Sequence, residues 1–166
     1  MIITGIWETL YMTLVSTFAG YVIGLPMGIV LTVSDKDGIH PNALVYKILD
    51  VIANIVRSIP FIILLVLLIP FTRFVVGKSY GSTATIVPLV IAAAPYIARM
   101  VESSLKEVDA GVIEAARSMG ASNFTIITKV MLVEARTSLL VGATITLGTV
   151  LGYSAMSGAV GGGGLG

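Results

Sequence analysis

Three stretches of this chain carry no charged residue: 9–34, 79–98 and 137–166, of 26, 20 and 30 residues. A helix needs about 20 predominantly apolar residues to cross the hydrocarbon core of a bilayer. Within that core each backbone N–H and C=O must find a partner inside the protein, which favours helices over irregular chain. Only 11% of the 166 residues are charged and 56% are hydrophobic, too little polarity to cover a soluble domain of this length. The expected fold class is all-α: a polytopic membrane helix bundle forming a single transmembrane domain over 1–166, without an internal repeat.

What is missing narrows the function. The chain has no cysteine, so thiolate metal sites and cysteine nucleophiles are excluded. His40 is the sole histidine and lies in a polar turn, where it builds neither a metal site nor a catalytic triad. No catalytic residue, metal or cofactor is expected. No basic cluster is present to grip nucleic acid, and no G-x-x-x-x-G-K-[ST] loop to bind ATP. The opening "MIITGIWETL" has no Lys or Arg ahead of the apolar run. A cleaved signal begins with a positive region, so the first span is expected to be retained.

Inside the first span, Gly20, Gly24 and Gly28 recur every four residues, a small-residue face that admits close approach of another helix. Pro26 is expected to bend or unwind it. A polar turn, "SDKDGIHPN", follows. The second span starts as an amphipathic helix carrying Lys47, Asp50 and Arg57, passes Pro60 and is apolar to Pro70. Asp50 and Arg57 are read as a structural pair or an interfacial anchor. "TRFVVGKSYGS" reads as a loop, 83–98 as a third span kinked at Pro88 and Pro95, and 137–156 as a fourth. With the N-terminus outside, the inner loops hold Lys36, Lys47, Arg99, Lys106, Arg117, Lys129 and Arg136, whereas the outer loop holds Arg73 and Lys78. The positive-inside rule selects that orientation.

Ten charges, five of each sign, return between Arg99 and Arg136. Asp109 is a candidate N-cap for the helix "AGVIEAARSM", Gly120 a candidate left-handed terminator, and Ser122 a cap for "NFTIITKVML". Ala115, Ala116 and Gly120 keep this corner slim, while Met119 and Phe124 supply apolar anchors. Two readings fit: a helix laid into a groove on another protein, or an amphipathic connector at the lipid headgroups.

The spacing Glu114-Ala115-Ala116, three residues, Gly120 resembles the EAA loop of the membrane permease subunits of bacterial ATP-binding-cassette importers. Farther on, Leu132 matches that pattern, Val130 replaces its isoleucine and Val133 stands where proline is usual. The stretches "ETLYMTLVS", "VRSIPFIILLV", "IPFTRFVVG", "AAPYIARMVESSL" and "GYSAMSGAVGGGGLG" extend the resemblance over essentially the whole chain, and narrow it to the permeases of methionine importers. The resemblance implies a multi-pass protein of the bacterial inner membrane with five spans, so a fifth is expected beyond the four read here. It implies a homodimer of permeases, two ATPase subunits and an extracytoplasmic methionine-binding lipoprotein as partners, besides membrane lipid. It also implies that segment 105–130 carries the coupling helix, with Glu114, Ala115, Ala116, Arg117, Met119, Gly120 and Phe124 at the ATPase.

Tyr153 and Met156 are three apart on one helix face and line the outer path or its gate, or else serve ordinary helix packing. "GGGGLG" matches G-x-G-x-x-G only formally, because no strand precedes it and no helix follows; a flexible or tightly turned outer segment is expected. The uncharged spans offer no acidic site for a coupling ion, which disfavours an ion-driven carrier for a small neutral solute. A permease for another amino acid and a non-transporting scaffold remain as alternatives.

Overall fold

The computed structural model describes residues 1–166, all as helices and connecting turns. The order is α1 (Ile2–Ser34), α2 (Ala43–Ser58), α3 (Phe61–Leu67), α4 (Ile69–Val76), α5 (Ser82–Lys106), α6 (Ala110–Ser118) and α7 (Asn123–Thr125). A π-helical stretch (Ile126–Met131) leads through α8 (Leu132–Glu134) into α9 (Arg136–Ser157), and a 3₁₀ turn (Gly158–Val160) follows. Helices α1, α5 and α9 are each long and apolar enough to span a membrane; α2 and α3 together form a fourth, broken span.

The most extensive contact is α1 against α5. Here the glycine register has a direct consequence. A Cβ added at Gly24 would lie 2.6 Å from the carbonyl oxygen of Ala94, and one at Gly28 would lie 2.6 Å from that of Ala98. At Gly20 the nearest atom would be Ile97 Cδ1 at 3.0 Å. The two backbones therefore approach to a distance that only glycine permits. Met12, Leu89, Ile97 and Val101 close this seam without exposure and begin the core, which continues through Leu105 and Ile126 beneath α6.

Local unwinding, one of the two effects expected at Pro26, does not occur. Helix α1 runs unbroken through Pro26, and α5 through Pro88 and Pro95. Neighbouring helices hold such segments in place while local adjustment absorbs the missing N–H. Pro60 is where the chain breaks: α2 and α3 meet at 101°. Ile59, driven out of the α region by the following proline, has φ −85° and ψ 122°. The expected loop from Thr72 is instead largely helical, because α4 begins at Ile69 with Pro70 in its first turn, where proline is tolerated. Gly77, at φ 83°, ends it.

The two ends of the bundle differ in chemistry. At one end the final glycine segment is tightly turned. Gly161, Gly163 and Gly164 have positive φ. Gly81 N–H donates to Gly161 O (2.9 Å), and Gly164 N–H to the Glu8 carboxylate (2.8 Å). At the other end lie the charged residues around α6.

Candidate functional site

Helix α6 is built to stand on its own. Asp109 accepts from Gly111 N–H at 2.7 Å and caps its start. At its end, Ala121 N–H donates to Ala116 O (3.1 Å) and Gly120 N–H to Arg117 O (3.0 Å). With Gly120 at φ 83°, these two bonds form a Schellman closure. Ser122 then caps α7 by accepting from Thr125 N–H. The chain thus turns over four residues with the Ala115, Ala116 and Arg117 carbonyls each accepting a hydrogen bond.

The faces of α6 are sharply divided. Ala116 points inward and is buried, joining a core with Ile126 and Met131, while Ile113 packs beside it. It does not lie on the outer face where the EAA comparison groups it with Ala115, since a step of one residue turns the helix by about 100°. Glu114, Ala115, Arg117 and Gly120 are exposed; Met119 is 83% and Phe124 75% exposed. Two large apolar side chains thus protrude from a polar helix corner. Arg117 also reaches back, its Nη2 donating to Ile39 O in the α1–α2 turn at 3.2 Å.

Where proline is usual, Val133 leaves the helix uninterrupted. The departures from regular α-helix lie instead at the π-helical stretch 126–131 and at Ala135, with φ −82° and ψ 0°. A wider helical turn, a short α-helical stretch and one non-helical residue thus lead into α9.

Beside α6 lies a group of charges whose partners were not foreseen. Glu102, only 5% exposed, accepts from Arg99 Nη1 (2.8 Å), Lys106 Nζ (2.8 Å) and Tyr46 OH (3.2 Å). Arg99 also pairs with Asp50 and donates to Asn54 Oδ1 at 2.9 Å. Asp50 is thus not the partner of Arg57, which is exposed on α2; the guanidinium across the interface wins because it is hydrogen-bonded and partly desolvated there. Lys106 reaches Asp35, just past the end of α1, at 2.8 Å. That hydrogen bond holds the Asp35 carboxyl below its ordinary pKa, outweighing the opposing effect of partial burial.

At the opposite end, Tyr153 and Met156 part company. The Tyr153 ring stacks on Phe61 of α3, with centroids 4.5 Å apart and planes at 12°. Met156 is 49% exposed, with no such cover. Farther down α9, Gly148 and Gly152 have open space where a Cβ would be.

Comparison with known proteins places this arrangement. Residues 2–166 match the family described as binding-protein-dependent transport system inner membrane component. A relative from Salmonella typhimurium, the D-methionine transport system permease protein MetI, is 57% identical over 158 residues, covering 95% of this chain and 73% of that protein. A probable D-methionine transport system permease protein MetI of Vibrio cholerae is 47% identical, covering 100% and 74%. Among solved structures, an inward-facing MetNI methionine ABC transporter superposes with a TM-score of 0.97 at 57% identity, over 99% of this chain and 76% of that one. An amino acid ABC transporter crystallised with histidines shares the fold, with a TM-score of 0.79 at 24% identity. A capped helix corner projecting from an all-helical bundle, and a family match over nearly its whole length, lead to one conclusion: this chain belongs to the family of inner membrane components of binding-protein-dependent transport systems.

Proposed function

We propose that the chain is the translocation subunit of an ATP-driven importer for methionine, in its L and D forms, and that α6 is its coupling helix. The names of its relatives supply the substrate. The observation that carries the coupling role is the pair of exposed apolar side chains on either side of the turn that ends the capped helix, Met119 at the end of α6 and Phe124 at the start of α7. Two copies of the chain enclose the path, two separate ATPase subunits each receive one α6 in a groove, and an extracytoplasmic binding lipoprotein delivers the solute. The chain itself performs no hydrolysis. Glu114 and Arg117 form the polar rim of the docking surface, and Ala115 and Gly120 keep it slim. Ala116 supports it from behind.

The energetics are of the right order. Moving a two-state equilibrium from 1:99 to 99:1 takes about 5.5 kcal/mol of differential binding. Truncating a buried anchor at an interface centre costs about 2 kcal/mol, and the share of the anchors' binding that differs between the two conformations drives the shift. When the ATPases close, the force enters at α6 and leaves through the spans attached to it. At the outer end, Met156 is the gate: a flexible, uncovered thioether beside a fixed Tyr153. The test is uptake of radiolabelled methionine by vesicles holding the chain, its ATPase and its binding protein. Uptake that needs ATP inside and survives collapse of ion gradients supports this reading. Uptake that follows an ion gradient without ATP supports a secondary carrier instead.

A further inference from the structure

The coupling helix does not hang from the bundle by a single thread. Only three residues, Glu107 to Asp109, separate the end of α5 from the start of α6. About one turn before the end of α5 lies Glu102, with both carboxylate oxygens occupied: Oε2 by Arg99, and Oε1 by Lys106 and Tyr46. Each of those partners leads to another helix. Lys106 extends to Asp35 at the end of α1, Arg99 to Asp50 and Asn54 on α2, and Tyr46 is itself part of α2. On the far side of α6, Arg117 grips the carbonyl of Ile39 in the turn joining α1 to α2. The result is a closed ring of contacts: α6 to the α1–α2 turn, the ends of α1 and α2 to α5, and α5 back to α6.

A nearly buried carboxylate with three donors is a demanding arrangement. Removing its charge leaves two cations without their shared partner, and burial prevents water from replacing it fully. Apolar packing alone lets helix ends slide past one another, whereas charge-assisted hydrogen bonds are directional and hold one register. We infer that Glu102 is a positioning residue for coupled transport: it joins the inner ends of α1, α2 and α5 into one body that follows α6. The inference rests on the reading of α6 as the coupling helix. The lever is then the whole ring, and the path opens because three helices move together.

Glu102→Gln tests this, since it keeps shape and removes charge. The assembled transporter, with its ATPase and binding protein, is reconstituted in vesicles, and methionine imported per ATP hydrolysed is compared with wild type. The expected result is ATP hydrolysis within about 2-fold of wild type and at least a 5-fold fall in methionine per ATP. Val150→Ala, a core truncation on α9 away from the ring, controls for lost stability and is expected to keep the ratio. An assembled Glu102→Gln transporter with the wild-type ratio overturns the inference, and so does an equal fall in Val150→Ala. If Glu102→Gln fails to assemble, Lys106→Gln decides, because Lys106 is 44% exposed and its loss cuts the bridge to α1 while Arg99 and Tyr46 stay on Glu102. There a 2- to 3-fold fall is expected, and an unchanged ratio overturns the inference. A wild-type complex without ATP-dependent uptake overturns the underlying reading of α6 instead.

Discussion

The α1–α5 seam and the α6 corner both depend on glycine, for opposite reasons. In the seam, Gly24 and Gly28 have ordinary helical backbone, and what matters is space: a single carbon would meet a carbonyl oxygen at 2.6 Å. At the corner, Gly120 has nothing within 4 Å of where a Cβ would be, and what matters is its left-handed φ of 83°. The seam shows how a membrane protein holds together where lipid removes the usual hydrophobic drive between helices. The corner shows how a helix is finished so that it can face outward. One is about fit and the other about backbone geometry, so their failures should look different.

The most severe way to break the comparison is Gly24→Leu. The clash is with the Ala94 carbonyl oxygen and the Ile97 side chain of α5, so α1 and α5 must separate; the expected outcome is loss of monodisperse protein in detergent, read by size-exclusion chromatography. Overpacking of even a tolerant core costs about 1–3 kcal/mol, and a seam between two rigid backbones has less room to relax. Recovery of folded wild-type-like protein would show that the seam is not the organising contact. Next comes Phe124→Ala, which removes an exposed anchor. The chain's own thermal stability is expected to stay unchanged while ATPase association weakens by about 30-fold, or about 2 kcal/mol, measured by co-purification or titration.

Gly120→Ala isolates the corner. It introduces no collision and costs about 1–2 kcal/mol for a left-handed Cβ, with Gly120→Asn milder because Asn tolerates that conformation better. Local hydrogen exchange in 110–125 should rise while the seam stays protected. If the seam loosens equally, the two regions are not separable. The smallest effect concerns Asp35. Its pKa is lowered by Lys106, so the pair stabilises the folded state above the ordinary carboxylate range and that contribution disappears as the pH falls through the lowered value. Asp35→Asn should therefore be less stable than wild type at neutral pH by at most about 1 kcal/mol, as for partly exposed pairs. The gap should close on acidification, as followed by thermal unfolding.

Much of this was legible in residue order because the relevant physics is local. Charge-free runs locate α1, α5 and α9; Asp109, Gly120 and Ser122 announce the corner because caps and left-handed turns are decided within a few residues. Other features were hidden. Gly20, Gly24 and Gly28 signal a contact face but not that α5 occupies it. The spacing of Arg99, Glu102 and Lys106 places three charges on one face of α5, yet their partners on α1 and α2 lie about 50 to 70 residues away in the chain. Asp50 looked equally suited to Arg57. Glu8 gave no hint that it would hold Gly164 N–H, 156 residues later.

The prolines draw the same line. Five of the six lie inside helices or their first turns, or before a cap, and only Pro60 breaks a span. A proline always removes a donor and restricts its neighbour; whether the helix yields depends on what holds it from outside. Residue order by itself determined that this chain is a bundle of membrane helices with one polar, capped corner, since transfer into lipid and backbone capping act on short segments. Tertiary structure alone decided that Ala116 turns inward, that Tyr153 is pinned by Phe61, and that Glu102 joins three helices. Those outcomes depend on which surfaces meet, and sequence spacing carries no distance between separate helices.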